Sequence, residues 1–378
     1  MHDLQMVDLK RQYLKIKPEI DTAIQNVIDS SAFIKGSDVG AFAGALADYL
    51  GVKHVIPCGN GTDALQITLM ALDLQPGDEV ITPSFTYMAT VEVVALLRLK
   101  PVFVDVDPET FTMDIDKVKE AISNKTKAII PVHLYGQSAD MEPLLELAAA
   151  HHIPVIEDNA QATGSDYIFS DGRTVKTGTM GLAGTTSFFP SKTLGCFGDG
   201  GAIFTNNDSL AEKMRMVANH GQKVRYLHDI VGCNSRLDSI QAAVLGVKLK
   251  YLDDYILARR TAADFYDAAF RENEYIICPY RATYSRHVFY TYTILLKNVE
   301  RDAVKQGLTA RHIPSQLYYP LPCHKQPVIK TLYPTDYELP VTDMLQDRML
   351  SLPMHTELSN EELAYICDNI IEVINRVA

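Results

Sequence analysis

Positive charge is the first thing this chain is short of. Its 35 lysines and arginines face 47 aspartates and glutamates, a formal net charge of −12. That balance argues against nucleic acid or an anionic membrane surface as partner, yet it permits an anionic small molecule at a locally positive site. Paired cysteines are lacking too. The six (Cys58, Cys196, Cys233, Cys278, Cys323 and Cys367) are scattered, with no CxxC pair. A reduced, cytoplasmic protein is the simplest expectation. No apolar run approaches the length that spans a bilayer. The opening Met1-His2-Asp3-Leu4-Gln5-Met6-Val7-Asp8-Leu9 is neither basic nor rich in apolar residues, so no signal peptide is expected. Internal repeats, low-complexity tracts and charge blocks are missing as well.

What is present is a long alternation of short β-branched runs and helical segments. The 378 residues suffice for one large and one smaller domain. Strands are expected at Glu79–Thr82, Val102–Val106, Ala128–Val132, Val155–Asp158, Thr185–Phe189 and Ala202–Thr205. Helices are expected between them, at Asp63–Leu72, Met88–Leu99, Ile115–Ile122 and Met141–His151. This alternation predicts an α/β fold with a mainly parallel central sheet, whose ligands bind beyond the carboxyl ends of the strands. A long helix is expected over Arg236–Arg260, then an extended strand over Arg286–Leu296. Ser359-Asn360-Glu361-Glu362 reads as a capping box opening the last helix. The expected division is a large domain, 1–245, and a small C-terminal α+β domain, 246–378, on which the first 20 or so residues pack.

The chemistry concentrates around one lysine. Lys192 ends Thr185-Thr186-Ser187-Phe188-Phe189-Pro190-Ser191-Lys192 and is followed by Leu194-Gly195-Cys196-Phe197-Gly198-Asp199-Gly200-Gly201. Upstream, the buried-strand pattern Ile153-Pro154-Val155-Ile156-Glu157-Asp158-Asn159-Ala160-Gln161 ends in a carboxylate. A lysine that condenses with an aldehyde and an acid that keeps a pyridine nitrogen charged are the two groups pyridoxal phosphate (PLP) needs. Cys58-Gly59-Asn60-Gly61-Thr62-Asp63 is a glycine turn opening into a helix, a place for a phosphate. Taken alone it reads equally well as an ordinary strand–helix turn. It lacks GxGxxG, and a dinucleotide reading would leave Lys192 without a role. Tyr87, after Pro83-Ser84-Phe85-Thr86, is a stacking candidate or a core aromatic. Arg225, Asn234 and Arg236 are anion-binding candidates by residue type, or a helix cap and surface ion pairs. The residues alone do not separate these readings.

Together these motifs resemble the DegT/DnrJ/EryC1/StrS aminotransferases, of the fold-type I (aspartate aminotransferase-like) class, over nearly the whole chain. The resemblance implies that Lys192 is the Schiff-base lysine and general base, and Asp158 the pyridine-nitrogen acid. Gln161 would lie near the cofactor's ring oxygen. Gly61, Thr62 and Ser187 would bind the phosphate, and Tyr87 would stack. Asn234 would reach the phosphate from a partner subunit, which implies a homodimer with shared sites. Arg236, Tyr318, Tyr319 and His324 would meet the sugar. Lysine rather than histidine at 192 implies amino transfer rather than dehydration. L-glutamate as donor is implied, with a nucleotide-linked keto-sugar as acceptor. The stretches Gly184–Gly201, His220–Gln222 and Val231–Arg236 look most like enzymes acting on UDP-2-acetamido-2-deoxy-3-oxo-glucuronate, in surface polysaccharide or lipopolysaccharide biosynthesis. Asn159 and Tyr318 depart from that pattern, so 4-keto-6-deoxy sugars on UDP, dTDP or GDP stay open. A PLP-binding regulatory protein without turnover is the remaining alternative.

Overall fold

A computed structural model describes residues 4–378. Seven strands form the central sheet. They are β1 (His54–Cys58), β2 (Glu79–Pro83), β3 (Lys100–Val104), β4 (Thr126–Ile129), β5 (Ile156–Asp158), β6 (Ala183–Ser187) and β7 (Gly201–Thr205). Hydrogen bonding gives two runs, β3-β2-β4 and β5-β6-β7-β1. Parallel bridges Ile129↔Val155 and Val132↔Asp158 join them. β7 is antiparallel to both β1 and β6, the strands on either side of it. All five residues of β2 are buried, which is why this strand reads as a continuous run rather than an alternation.

The expected strands and helices of residues 60–205 are present, shifted by a few residues at their ends. Among the elements not anticipated are helices Leu9–Ser30, Ser37–Leu50 and Asp208–Val217, and β1 itself. The helix expected over Arg236–Arg260 is in fact two, Ser239–Leu249 and Leu252–Phe270. The turn at Lys250–Tyr251 redirects the chain. The first helix packs Ala242 and Leu245 with Phe42 and Leu46. The second carries Ala263, Tyr266 and Phe270 into another core, with Ile294, Leu350, Ile366 and Ile370. Tertiary packing here overrides an unbroken helical pattern. The strand expected over Arg286–Leu296 is likewise divided. Ser285–Arg286 pairs with Asp166–Ile168, whereas Tyr292–Leu296 pairs with Met349–Leu352. Between them Phe289 adopts a positive φ of 49°.

The last helix, Asn360–Val377, has the complete capping box of Ser359 and Glu362. At the other end of the chain, Leu4 joins the core beneath that helix. The Met354 N–H donates to the Met6 carbonyl at 3.1 Å, and Arg11 pairs with Glu362 at 2.9 Å. Ile16 and Ile20 pack instead on Val244 and Val247.

Candidate active site

The carboxyl ends of β5 and β6 and the helix start after β1 converge on one edge of the sheet. Cross-strand register sets this level, because Gly201 pairs with both Ser187 and Cys58. A cavity of about 630 Å³ opens there. Gly61, Thr62, Tyr87, Asp158, Gln161, Ser187, Lys192, Tyr318 and Tyr319 all line it.

One end of the cavity is a phosphate-sized cradle. The Asn60 side chain caps the Gly61–Ala71 helix by accepting from the Asp63 N–H at 2.8 Å. The first-turn N–H groups of Gly61 and Thr62 have no acceptor within the helix, and they sit at its positive end. Gly61 is required here for space. A Cβ on it would lie 2.8 Å from the Ser187 Cβ. Ser187 Oγ accepts from the Phe189 N–H at 3.2 Å, which leaves its own proton free for an anion. Ser235 braces the turn, accepting from the Gly59 N–H at 2.9 Å and donating to Asp63 at 2.6 Å.

Asp158 holds the other end and is only 5% exposed. Its Oδ2 accepts from Thr90 Oγ1 at 2.8 Å and its Oδ1 from the Ala160 N–H at 3.2 Å. These bonds fix the carboxylate while leaving lone pairs for a cationic partner. Beneath it, fully buried Glu157 accepts from the backbone N–H groups of Gly178, Met180 and Gly181, each at 2.7 Å. It also bonds His133 Nε2 at 2.9 Å. His133 Nδ1 accepts from Ala139 N–H at 3.0 Å, so Nε2 carries the proton given to Glu157. This network anchors the strand end that presents Asp158.

Gln161 is oriented by its neighbours. Its Oε1 accepts from the Tyr135 N–H at 2.8 Å, and its Nε2 donates to the Tyr319 hydroxyl at 2.7 Å. Burial pushes the Tyr319 hydroxyl far above the usual tyrosine range, so it remains protonated and able to donate. Tyr135 donates to the Tyr318 carbonyl, tying that loop down. Tyr87 is 59% exposed at the rim, its ring centroid 5.8 Å from that of Tyr319.

Lys192 lines the same cavity as Asp158, its Nζ 4.5 Å from the centre of the Tyr290 ring. Tyr290, Ser191 and Asp199 also line the cavity. Tyr290 was not anticipated, since it falls in the stretch read as one strand, where alternation suggested only packing.

Three expected residues are not brought into this cavity. Arg236 lines a separate depression with Lys35, Arg215 and Lys223. Asn234 forms a bridge with Asn219. His324 is buried, its Nδ1 2.7 Å from Ser84 Oγ and its ring against Phe103. Burial lowers its pKa, and it is not among the residues lining this chain's cavity.

Comparison with known proteins settles the class. The model of the DegT/DnrJ/EryC1/StrS aminotransferase family matches residues 14–371. This chain belongs to that family. It is 45% identical over 375 residues, 99% of each chain, to a pleiotropic regulatory protein of Geobacillus stearothermophilus. It is 44% identical to the UDP-2-acetamido-2-deoxy-3-oxo-D-glucuronate aminotransferase of Pseudomonas aeruginosa, over 96% of this chain and 98% of that one. The structure of NtdA from Bacillus subtilis with bound cofactor PMP superposes with a TM-score of 0.90 at 30% identity, covering 99% of this chain and 86% of that one. The fold is fold-type I, and the protein is a PLP-dependent aminotransferase.

The residues present fit that cofactor. A cradle that a Cβ would fill, a fixed buried carboxylate and a lysine share one cavity. When bound, PLP supplies an aldehyde for the amine and an electron-accepting ring. Gly61, Thr62 and Ser187 would hold its phosphate, Asp158 its ring nitrogen and Lys192 its aldehyde carbon. With the cofactor bound, Lys192 would be placed to take up and return the proton of the substrate carbon.

Proposed function

We propose that this aminotransferase moves an amino group from L-glutamate to a nucleotide-linked keto-sugar, for surface polysaccharide or glycan biosynthesis. A UDP-linked 3-keto sugar such as UDP-2-acetamido-2-deoxy-3-oxo-glucuronate ranks first. The carrying observation is the full-length 44% identity to the Pseudomonas aeruginosa enzyme named for that substrate, and glutamine at position 161, among the residues lining the cavity, supports it. The 4-keto-6-deoxy sugars are the second reading, favoured by Tyr318, a residue lining the cavity that departs from the glucuronate-type pattern. The test offers a panel of nucleotide keto-sugars to the pyridoxamine form of the enzyme. Return of the aldehyde spectrum with the UDP 3-keto sugar is expected. Return only with 4-keto-6-deoxy sugars would replace the first reading by the second. A regulatory role echoes the name of the Geobacillus stearothermophilus relative. Steady turnover with glutamate and a keto-sugar would dispose of it.

The active site is proposed to be shared in a homodimer. Lys192 is the only cation among the residues lining the cavity, against Asp63, Asp158 and Asp199. A cofactor phosphate and a nucleotide diphosphate call for more positive charge than this. The hairpin of Gln222–Val224 and Leu227–His228 exposes Val224, Tyr226 and Leu227, and it carries Arg225 at its turn. A second copy presenting that hairpin would supply the missing groups. Mixing inactive Lys192→Ala and Asn234→Ala chains should then restore about a quarter of wild-type activity, from the one intact site of each mixed dimer. No recovery would count against sharing. A cytoplasmic location, with no nucleic-acid or membrane partner, belongs to the same proposal and rests on the acidic balance. So does the division at residue 245, supported by the separate core of the C-terminal part.

A further inference from the structure

We propose that Tyr290 is a positioning residue that holds the Lys192 ammonium on its ring face whenever that amine is not condensed with the cofactor's aldehyde. The inference rests on the aminotransferase assignment, which requires the lysine to be displaced by each incoming amino donor and then to act as a base. A displaced lysine on four flexible carbons can swing to solvent. Kept within a few ångströms of the reacting carbon, it is far more effective.

The geometry supplies the holding place. Lys192 Nζ lies 4.5 Å from the Tyr290 ring centre, inside the range of about 6 Å over which a ring face attracts a cation. The ring is itself fixed. Its hydroxyl is 3.3 Å from Ser191 Oγ, the residue next to the lysine. Its backbone carbonyl accepts from Arg259 Nη1 at 3.2 Å. Arg259 is buried and also reaches the carbonyls of Phe289 at 3.3 Å and Met354 at 3.0 Å. One buried cation therefore pins the backbone on both sides of the ring.

Other charged and titratable groups face the pair. Asp63, Asp158 and Asp199 line the same cavity, with Tyr318 and Tyr319 on its Tyr290 side and Arg259 behind. Burial alone would raise the Tyr290 hydroxyl. The Lys192 charge, the Ser191 hydroxyl and Arg259 outweigh it and bring the group below its usual value. The ring and the amine are thus coupled electrostatically as well as in space.

The test uses the full chain stripped of cofactor, so that it does not depend on turnover. Competitive acetylation at one fixed pH, read by mass spectrometry of the Lys192 peptide, gives the reactivity of this amine relative to the other lysines. Tyr290→Leu should raise that relative reactivity by about 3- to 10-fold, while Tyr290→Phe, which keeps the ring, should stay within about twofold. Unchanged reactivity in the leucine variant, or an equal rise in both variants, overturns the ring-face role. A second readout needs no change at Tyr290. After reductive methylation with ¹³C-formaldehyde, the wild-type Lys192 methyl signal, identified by its loss in Lys192→Arg, should lie upfield of the exposed lysines. A signal among the exposed lysines overturns the proposal. Absorbance after PLP addition separately reports whether the aminotransferase assignment holds.

Discussion

Gly61 tests the phosphate cradle without touching any charge. Its φ is not positive, so the demand is for room rather than for backbone freedom. In Gly61→Ala the new methyl would sit 2.8 Å from Ser187 Cβ and 3.2 Å from Ser187 Cα. Both atoms belong to a β6 residue that is register-locked to Gly201, so they cannot simply rotate away. Either Ser187 or the helix start must shift by several tenths of an ångström, misaligning the hydroxyl and the first-turn N–H groups. Overpacking of this kind costs about 1–3 kcal/mol, which becomes a rise of about 5- to 150-fold in the Kd for PLP. Fluorescence titration of the cofactor-free protein would measure it. Gly44→Ala is the control, since a Cβ at Gly44 meets nothing within 4 Å, and its PLP affinity should equal that of wild type. Binding by Gly61→Ala within about twofold of wild type would refute the claim that this contact shapes the cradle.

Other expectations can be checked alongside. Asp158→Asn keeps the bond from Thr90 but removes the charge, and kcat should fall by about 10²–10³-fold at unchanged melting temperature; a loss under tenfold would remove Asp158 from its assigned role. Burial lowers the His287 pKa to about 3 and that of His355 to about 4. Both stay neutral when folded but take up protons when unfolded below about pH 6.5, so stability is full above that value. It should drop as pH falls from about 6.5 toward 4, by up to about 1.4 kcal/mol per unit for each histidine. Urea unfolding at pH 7 and pH 5 should show a smaller loss in His355→Gln than in wild type. Parallel losses would contradict the assignment.

The sheet was legible because its strands are buried on both faces and read as apolar runs, with Asp158 and Ser187 placed at their ends. The glycine turn could be found because Gly61 and Ser187 approach so closely that no other residue fits. What stayed hidden depends on pairings distant in sequence. Lys250–Tyr251 interrupts a helical pattern, and only the later turns of the second helix reach the C-terminal core. Tyr290 sits where one apparent strand is divided between two sheets, so alternation gave no sign that its ring faces Lys192. His324 looked like a polar residue on a sugar-binding loop, but Ser84 draws it inward. Arg236 and Asn234 lie away from their own chain's cavity, and no single-chain pattern indicates where a neighbouring copy would place them.

Lys192, in the cavity it shares with Asp158, is the amine proposed to take up PLP. Borohydride reduction of the PLP-saturated protein, followed by peptide mass mapping, tests it most directly. The pyridoxyl mass should fall on the peptide containing Lys192, with loss of the visible absorbance band. A label on any other lysine, or none at all on a folded and saturated protein, would contradict the account.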